Sequence, residues 1–390
     1  MNSVYLRQFQ IVKPLYGYSQ DELLNWTIQC HQSAESYRSP IELSKGVNLD
    51  VIEKLFKRYA VKSSQISQRY IECNDLAAGD SNSAKSKDIY RFDSKNPHGV
   101  DINIRTQFFA RRAYEVFKNL YDLENAENKK PDHLIHVTCT GYISPSAAQR
   151  IVTEPKWNHS TDVTHAYHMG CYAAMPAVRV AKSLVLSECT QKKDFVTDVV
   201  HTEMCGLHMN PLAQTPEQMV VQTLFGDGHI KYSVAAEKIA ESGKNLKVVA
   251  MLERILPHSQ GDMSWVPAPW GLQMNLSRDV PTKIRKELKT FANDLFQKAN
   301  VSLEVALAAK FAIHPGGPKI IDSVKEALEL SADQIAESRK VLFERGNMSS
   351  ATLPHVWSEI LENNLPSGSY IISFAFGPGL TLFGSVFEVC

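Results

Sequence analysis

The chain has no net charge: 42 lysines and arginines balance 42 aspartates and glutamates over 390 residues. No basic excess points to nucleic acid or to an anionic membrane surface as a partner. No apolar run reaches the roughly eighteen residues that a membrane-spanning helix needs. Residues 1–20 lack a basic segment followed by an apolar one, so no secretory leader is expected. The seven cysteines, at 30, 73, 139, 171, 189, 205 and 390, are odd in number, scattered and never spaced as CxxC. That pattern argues against a disulfide framework and against a metal site, and for reduced thiols in a cytoplasmic protein. The length suffices for a large core and suggests two halves of similar size.

Strand-like and helix-like stretches alternate along both halves, which indicates an α/β class. Residues 55–70 read as one amphipathic helix whose cationic face is either simply solvated or, through Arg58 and Lys62 one turn apart, a phosphate contact. Residues 77–100 turn polar (Gly79-Asp80-Ser81-Asn82-Ser83, Asn96-Pro97-His98-Gly99) and read as a surface loop or insertion. Helical periodicity returns at 106–123. β-type runs follow at 134–139, 195–201, 230–234, 247–255, 309–313 and 371–374. Pro145 and Pro318 are each placed to start a helix. A duplication of the two halves is a hypothesis, since no sequence repeat between them can be demonstrated.

The chain is organised around Gly170-Cys171, which opens a segment with Ala174, Val178, Ala181 and Leu184 at helical spacing. A cysteine at a helix start meets unpaired backbone N–H groups and the positive end of the dipole, which favour thiolate over thiol. Such a thiolate can hold an acyl group as a thioester. Two further polar residues, His314 and Asn347, stand at turns flanked by glycine or proline, where backbone can approach a ligand closely. Brought together, the three suit acyl-thioester chemistry. The cysteine is acylated, and imidazole and amide donate hydrogen bonds to the carbonyl oxygen of a second thioester as it loses CO2. On spacing alone, a histidine so placed is more often structural and such an asparagine more often a helix cap.

Five blocks carry a family resemblance: Gly170-Cys171 with its helix, Leu224-Phe225-Gly226-Asp227-Gly228, Ile313-His314-Pro315-Gly316-Gly317-Pro318, Gly346-Asn347-Met348-Ser349-Ser350 and Phe376-Gly377-Pro378-Gly379-Leu380. In that order they resemble the signature blocks of the chalcone and stilbene synthases, the type III polyketide synthases of the thiolase superfamily. The resemblance implies a five-layered αβαβα thiolase-like fold of two similar halves. Residues 1–235 would carry the nucleophile Cys171, and residues 236–390 would carry His314 and Asn347. It also implies a homodimer, coenzyme A thioesters as substrates with no bound cofactor, Phe225 as a gatekeeper, and Arg58 and Lys62 on the CoA phosphates. The family's third lysine there is Leu55 here.

Other positions depart from the plant pattern. Cys205 and His208 replace two cavity threonines, and Met274 replaces a second phenylalanine. The blocks around Cys139 and Cys205 look like bacterial members, including those that extend fatty acyl chains. Cys139 then lines an acyl tunnel, or else is a small core residue. His229-Ile230-Lys231 stands where small residues are usual, which leaves the strand packing there open. The expected activity is loading of an acyl-CoA on Cys171, extension with malonyl-CoA by decarboxylative Claisen condensation, and cyclisation to a pyrone or resorcinol. Alternatives are a single-round condensing enzyme of the superfamily, a Cys-His thiol hydrolase and a non-catalytic acyl-binding protein. An acyl carrier protein is an alternative acyl donor.

Overall fold

The computed structural model describes residues 3–37, 49–77, 87–121, 130–157, 159–238 and 244–390. In chain order the first part runs β1 (Tyr5–Val12), β2 (Tyr16–Ser19), α1 (Gln20–Glu35), α2 (Leu49–Tyr59), β3 (Gln68–Ile71) and α3 (Ile102–Leu120). Then come β4 (His133–Thr138), α4 (Ala147–Val152), β5 (Asp162–Tyr167), α5 (Ala174–Glu188), β6 (Val196–Met204), α6 (Pro216–Leu224) and β7 (Asp227–Ala235). The second part runs β8 (Leu246–Ile255), β9 (Met263–Ala268), β10 (Gly271–Leu276), α7 (Val280–Ala299), α8 (Leu303–Leu307) and β11 (Lys310–Ile313). It closes with α9 (Pro318–Leu328), α10 (Ala336–Arg345), α11 (Thr352–Glu362), β12 (Tyr370–Gly377) and β13 (Thr381–Val389).

Nine strands join in the order β11-β12-β13-β8-β1-β7-β6-β4-β5. The two ends mirror each other. β4 is parallel to β6, which is antiparallel to β7, which is antiparallel to β1. Likewise β11 is parallel to β12, which is antiparallel to β13, which is antiparallel to β8. The two sets join where β1 meets β8, through the pairs Tyr5↔Lys247 and Leu6↔Leu246. Apart from the additional edge strand β5, the same strand order and directions recur in each half, although the side chains show no repeat.

Alternation along the strands builds the layers. Ile135 and Val137 of β4, and Phe383 and Phe387 of β13, face a central core shared with Ala177, Val178 and Ala181 of α5 and with Val356, Trp357 and Ile360 of α11. Leu134 and Val200 point the other way, onto Phe109, Ala113 and Phe117 of α3 and Ala148 and Ile151 of α4. On the far side Phe374, Leu382 and Val386 pack against Ile284, Leu288, Phe291 and Leu295 of α7 and Ile321 and Val324 of α9. The central helices are therefore covered on both faces. Burial of Met175, Val178 and Val185, all inaccessible, stabilises the fold by roughly 1.5–3 kcal/mol each.

Several expectations change. The helix read over 55–70 ends at Tyr59, and Arg69 and Tyr70 lie in β3. Tertiary partners capture the backbone at Val61: its N–H donates to Thr223 Oγ1 (3.0 Å) and its carbonyl accepts from Gln20 Nε2 (2.7 Å). Pro145 precedes α4, whose cap is Ser146, paired with Gln149 in a capping box. Strand β5 and the β9–β10 hairpin carry no clear sequence signal. Phe376 and Gly377 belong to β12, and Asp227 opens β7. β7 runs unbroken through His229, whose Nε2 meets Glu72 Oε1 at 2.9 Å inside the core. Of the polar stretch 77–100, residues 78–86 lie outside the described residues. The rest is not a surface loop throughout, because Ile89, Tyr90 and Val100 are buried.

Candidate active site

Cys171 sits in the turn that leads into α5. Gly170 before it has φ +80°, and a Cβ there would lie 2.5 Å from Pro378 Cδ, so only glycine lets the β12–β13 loop close over the cysteine. His314 follows the last residue of β11 and is held by its N–H donating to Phe374 O (2.8 Å). Asn347 lies beyond Gly346, which has φ +69° and would bring a Cβ within 2.8 Å of Leu224 O. The Asn347 backbone brackets Phe225: its N–H donates to Leu224 O (3.0 Å) and its carbonyl accepts from Gly226 N–H (2.9 Å).

Two chambers meet here. The outer one, about 410 Å³, is lined by Cys171, His314 and Asn347 and by Arg58, Arg278 and Lys319. The inner one, about 70 Å³, is lined by Cys171, Cys139, Cys205, His208 and Ser349. Cys171, Phe225, Met263 and Met274 line both. Nine of the ten residues singled out from the sequence therefore border one chamber or the other. Lys62 borders neither: α2 stops before it, so it is not stacked one turn above Arg58. The charges at the outer chamber besides Arg58 are Lys319 and Arg278, whose Nε lies 2.6 Å from Glu217 Oε1.

The hydrogen bonds orient the catalytic candidates. Asn347 Oδ1 accepts from Ser349 N–H (2.9 Å) and from Thr352 Oγ1 (3.3 Å), which turns Nδ2 toward Cys171 Sγ at 4.0 Å. His314 is 1% exposed, yet neither ring nitrogen has a hydrogen-bond partner. A buried histidine normally satisfies both. Burial pushes its pKa down to about 3, so the imidazole is neutral at physiological pH.

The thiolate expectation fails. Burial, with the Glu203 carboxylate adding to it, pushes the Cys171 thiol up to about 12. A helix end is worth about 1 kcal/mol, less than one pKa unit, and α5 begins three residues later. The resting state is therefore thiol beside neutral imidazole.

Glu203 is a residue sequence reasoning passed over. Fully buried at the end of β6, it accepts from Cys139 N–H (3.0 Å), Thr140 Oγ1 (2.9 Å) and both donors of Ser350. Burial raises its pKa while these donors hold it back. No local signal singles it out, since β6 also carries Asp198, His201 and two threonines. His208 lines the inner chamber with no hydrogen-bonding capacity to spare: Nδ1 accepts from Leu272 N–H (3.2 Å), so Nε2 donates to Thr140 O (2.9 Å). Cys139 faces the inner chamber, its sulfur accepting from Gly170 N–H (3.1 Å). Among the described residues no group of side chains is placed to hold a metal ion, and no helix is long and apolar enough to cross a membrane.

This architecture defines a class. The chain has the thiolase-like α/β fold of type III polyketide synthases. It superposes with a TM-score of 0.82 on PKS-I from the brown alga Ectocarpus siliculosus, at 22% identity over 100% of this chain and 99% of that one. It matches the C-terminal type III polyketide synthase domain of the hybrid Steely1 from Dictyostelium with a TM-score of 0.80, at 24% identity over 100% and 99% of the two chains. By sequence, residues 247–389 match the C-terminal domain of chalcone and stilbene synthases. The resemblance is borne out over that stretch, which contains the blocks at Ile313–Pro318, Gly346–Ser350 and Phe376–Leu380. A polyketide synthase of Dictyostelium discoideum is 29% identical over 256 residues, 65% of this chain, and the match spans only 8% of that relative's length.

Proposed function

We propose that this protein is a type III polyketide synthase that loads an acyl-CoA on Cys171 and extends it with malonyl-CoA. The observation that carries the reading is His314, buried with both ring nitrogens unpartnered at the wall of a cavity that Cys171 and Asn347 also line. Those nitrogens are left for a ligand. In loading, the Cys171 thiol gives its proton to the neutral imidazole as sulfur attacks the acyl carbonyl, and CoA leaves with a proton. Malonyl-CoA then places its thioester oxygen between His314 N–H and Asn347 Nδ2. These donors stabilise the enolate formed as CO2 departs. The enolate carbon attacks the Cys171 thioester, a C–C bond forms, and the thiolate leaves.

Repeated rounds and cyclisation to a pyrone or resorcinol complete the proposed reaction, with Phe225 and Met274 at the junction of the two chambers. The cations Arg58, Arg278 and Lys319 suit the phosphates of CoA, and a homodimer is the proposed assembly. One observation favours the single-round alternative: the inner chamber, about 70 Å³, is far below the roughly 300–1,000 Å³ of ordinary ligand pockets. Mass spectrometry of products from malonyl-CoA and a starter series separates the two. Products with two or more ketide units are expected. Single-extension products alone move the protein to the single-round branch, and free acid without CO2 release makes it a hydrolase.

A further inference from the structure

Helix α6 ends at the junction of the two chambers: Leu224 lines the outer one and Phe225 lines both. The carbonyl of Val221 still accepts from Phe225 N–H (3.3 Å), but the carbonyls beyond it lack partners inside the helix. Residues far apart in sequence meet them. Asn347 N–H donates to Leu224 O (3.0 Å), and Gln20 Nε2 donates to Thr223 O (2.8 Å). Arg69 Nη1 donates to both Gln222 O (3.1 Å) and Phe225 O (2.7 Å). Gln20 and Arg69 are themselves joined, Arg69 Nε donating to Gln20 Oε1 (2.7 Å). Asn347 is therefore seated on a helix end that Arg69 and Gln20 close.

Arg69 also packs against the glycines on either side of this junction. A Cβ on Gly346 would lie 2.9 Å from Arg69 Cγ, and one on Gly226 would lie 3.3 Å from Arg69 Cβ. Arg69 is 4% exposed, each acceptor it uses is neutral, and Nη2 has no partner among the described residues. Burial lowers its pKa to about 10, with Asp227 opposing, so it stays charged at physiological pH. A buried cation on neutral acceptors is a costly way to fill a core. What the charge meets here is the negative end of the α6 dipole. Under the function proposed above, an enolate forms beside Asn347, close to that end. An uncompensated helix C-terminus would oppose it.

We propose that Arg69, with Gln20 behind it, is a positioning residue for the decarboxylation step: it closes the C-terminus of α6, which holds Asn347 Nδ2 on the thioester oxygen, and it offsets the helix's negative end where the enolate develops. Arg69 acts through Asn347 and the helix, without touching the reacting atoms. The proposal rests on the reading above and goes beyond it by separating the two half-reactions. Decarboxylation depends on Arg69, and loading of Cys171 does not.

The test compares two rates on one preparation: Cys171 acylation by acyl-CoA, read by intact mass, and malonyl-CoA decarboxylation, read as CO2 release. Arg69→Met keeps the stem and removes the donors and the charge. It should lower kcat for decarboxylation roughly 10²-fold, as a displacement of about 1 Å does, with KM for malonyl-CoA and the acylation rate within about twofold of wild type. Arg69→Lys restores the charge without the fork and should recover up to about tenfold of that loss, the worth of a charge at a buried helix end. Thermal melting checks the fold of each variant. If Arg69→Met does not fold, Gln20→Met, which frees Thr223 O and Arg69 Nε, decides by the same comparison. A merely structural role lowers both rates together through the folded fraction. Equal losses, or an unchanged decarboxylation kcat in the folded variant, overturn the proposal and leave the acyltransferase reading standing. Absence of both adduct and CO2 in the wild type overturns both.

Discussion

The two chambers on either side of Phe225 are built for opposite tasks. The outer one is several times larger, carries cations, and holds the unpartnered nitrogens of His314 and the Asn347 amide beside Cys171. The inner one is small; His208 and the backbone of Cys139 spend their hydrogen bonds on the protein itself, while Arg69 gives Nε to Gln20 and Nη1 to the Gln222 and Phe225 carbonyls and keeps Nη2 unpartnered. A buried polar group left unpaired is poised to bind a polar partner. Under the proposed function the thioester oxygen meets His314 and Asn347 on the outer side, and Cys171 is reached from both chambers.

The largest expected effect comes from breaking the reactive side. Cys171→Ala should leave no acyl adduct by intact mass. His314→Ala and Asn347→Ala should each slow malonyl-CoA decarboxylation by roughly 10²–10³, read as CO2 release. Near wild-type release in both would place the oxyanion donors elsewhere.

An intermediate effect concerns the resting state of the shared nucleophile. Because burial and Glu203 raise the Cys171 thiol, its alkylation by iodoacetamide without substrate should keep accelerating as pH rises through 9, about tenfold per unit, with no plateau near neutrality. A titration midpoint between 6 and 8 would mean a preformed thiolate–imidazolium pair and would contradict the neutral His314 described here.

The smallest effect lies at the rim. Arg58 and Lys319 are exposed, and exposed ion pairs are worth about 0.2–1 kcal/mol. Arg58→Ala or Lys319→Ala should raise KM for acyl-CoA up to roughly fivefold, less at high salt. KM for acyl-pantetheine thioesters, which lack the nucleotide, should not move. Equal effects on both substrates would remove phosphate recognition from these side chains.

The sequence made the triad legible because each member carries its own local punctuation. Gly170, Gly346 and the His-Pro-Gly-Gly-Pro turn mark places where only a particular backbone permits close approach, and the structure requires glycine at the first two. The alternation of elements and the apolar spacing of α5, α7 and α9 were equally readable. The helical pairing of Lys62 with Arg58 does not form, for a physical reason. Helical spacing persisted in the residue types, but Gln20 and Thr223, distant in sequence, took the Val61 backbone and ended the helix. Strand β5 and the β9–β10 hairpin escaped because their pairing partners, not their residues, make them strands.

By itself, then, the chain determined the α/β class, the neutral character that gives no electrostatic pull toward nucleic acid, and the residues fit for thioester chemistry, all properties of local backbone geometry and residue type. Only the tertiary structure decided the protonation of Cys171 and His314, the self-satisfied state of His208, and the burial of Glu203 beside the nucleophile. It likewise buried Ile89, Tyr90 and Val100 within a stretch that reads as polar. These depend on desolvation and on hydrogen-bond partners tens to hundreds of residues away, which no local pattern encodes.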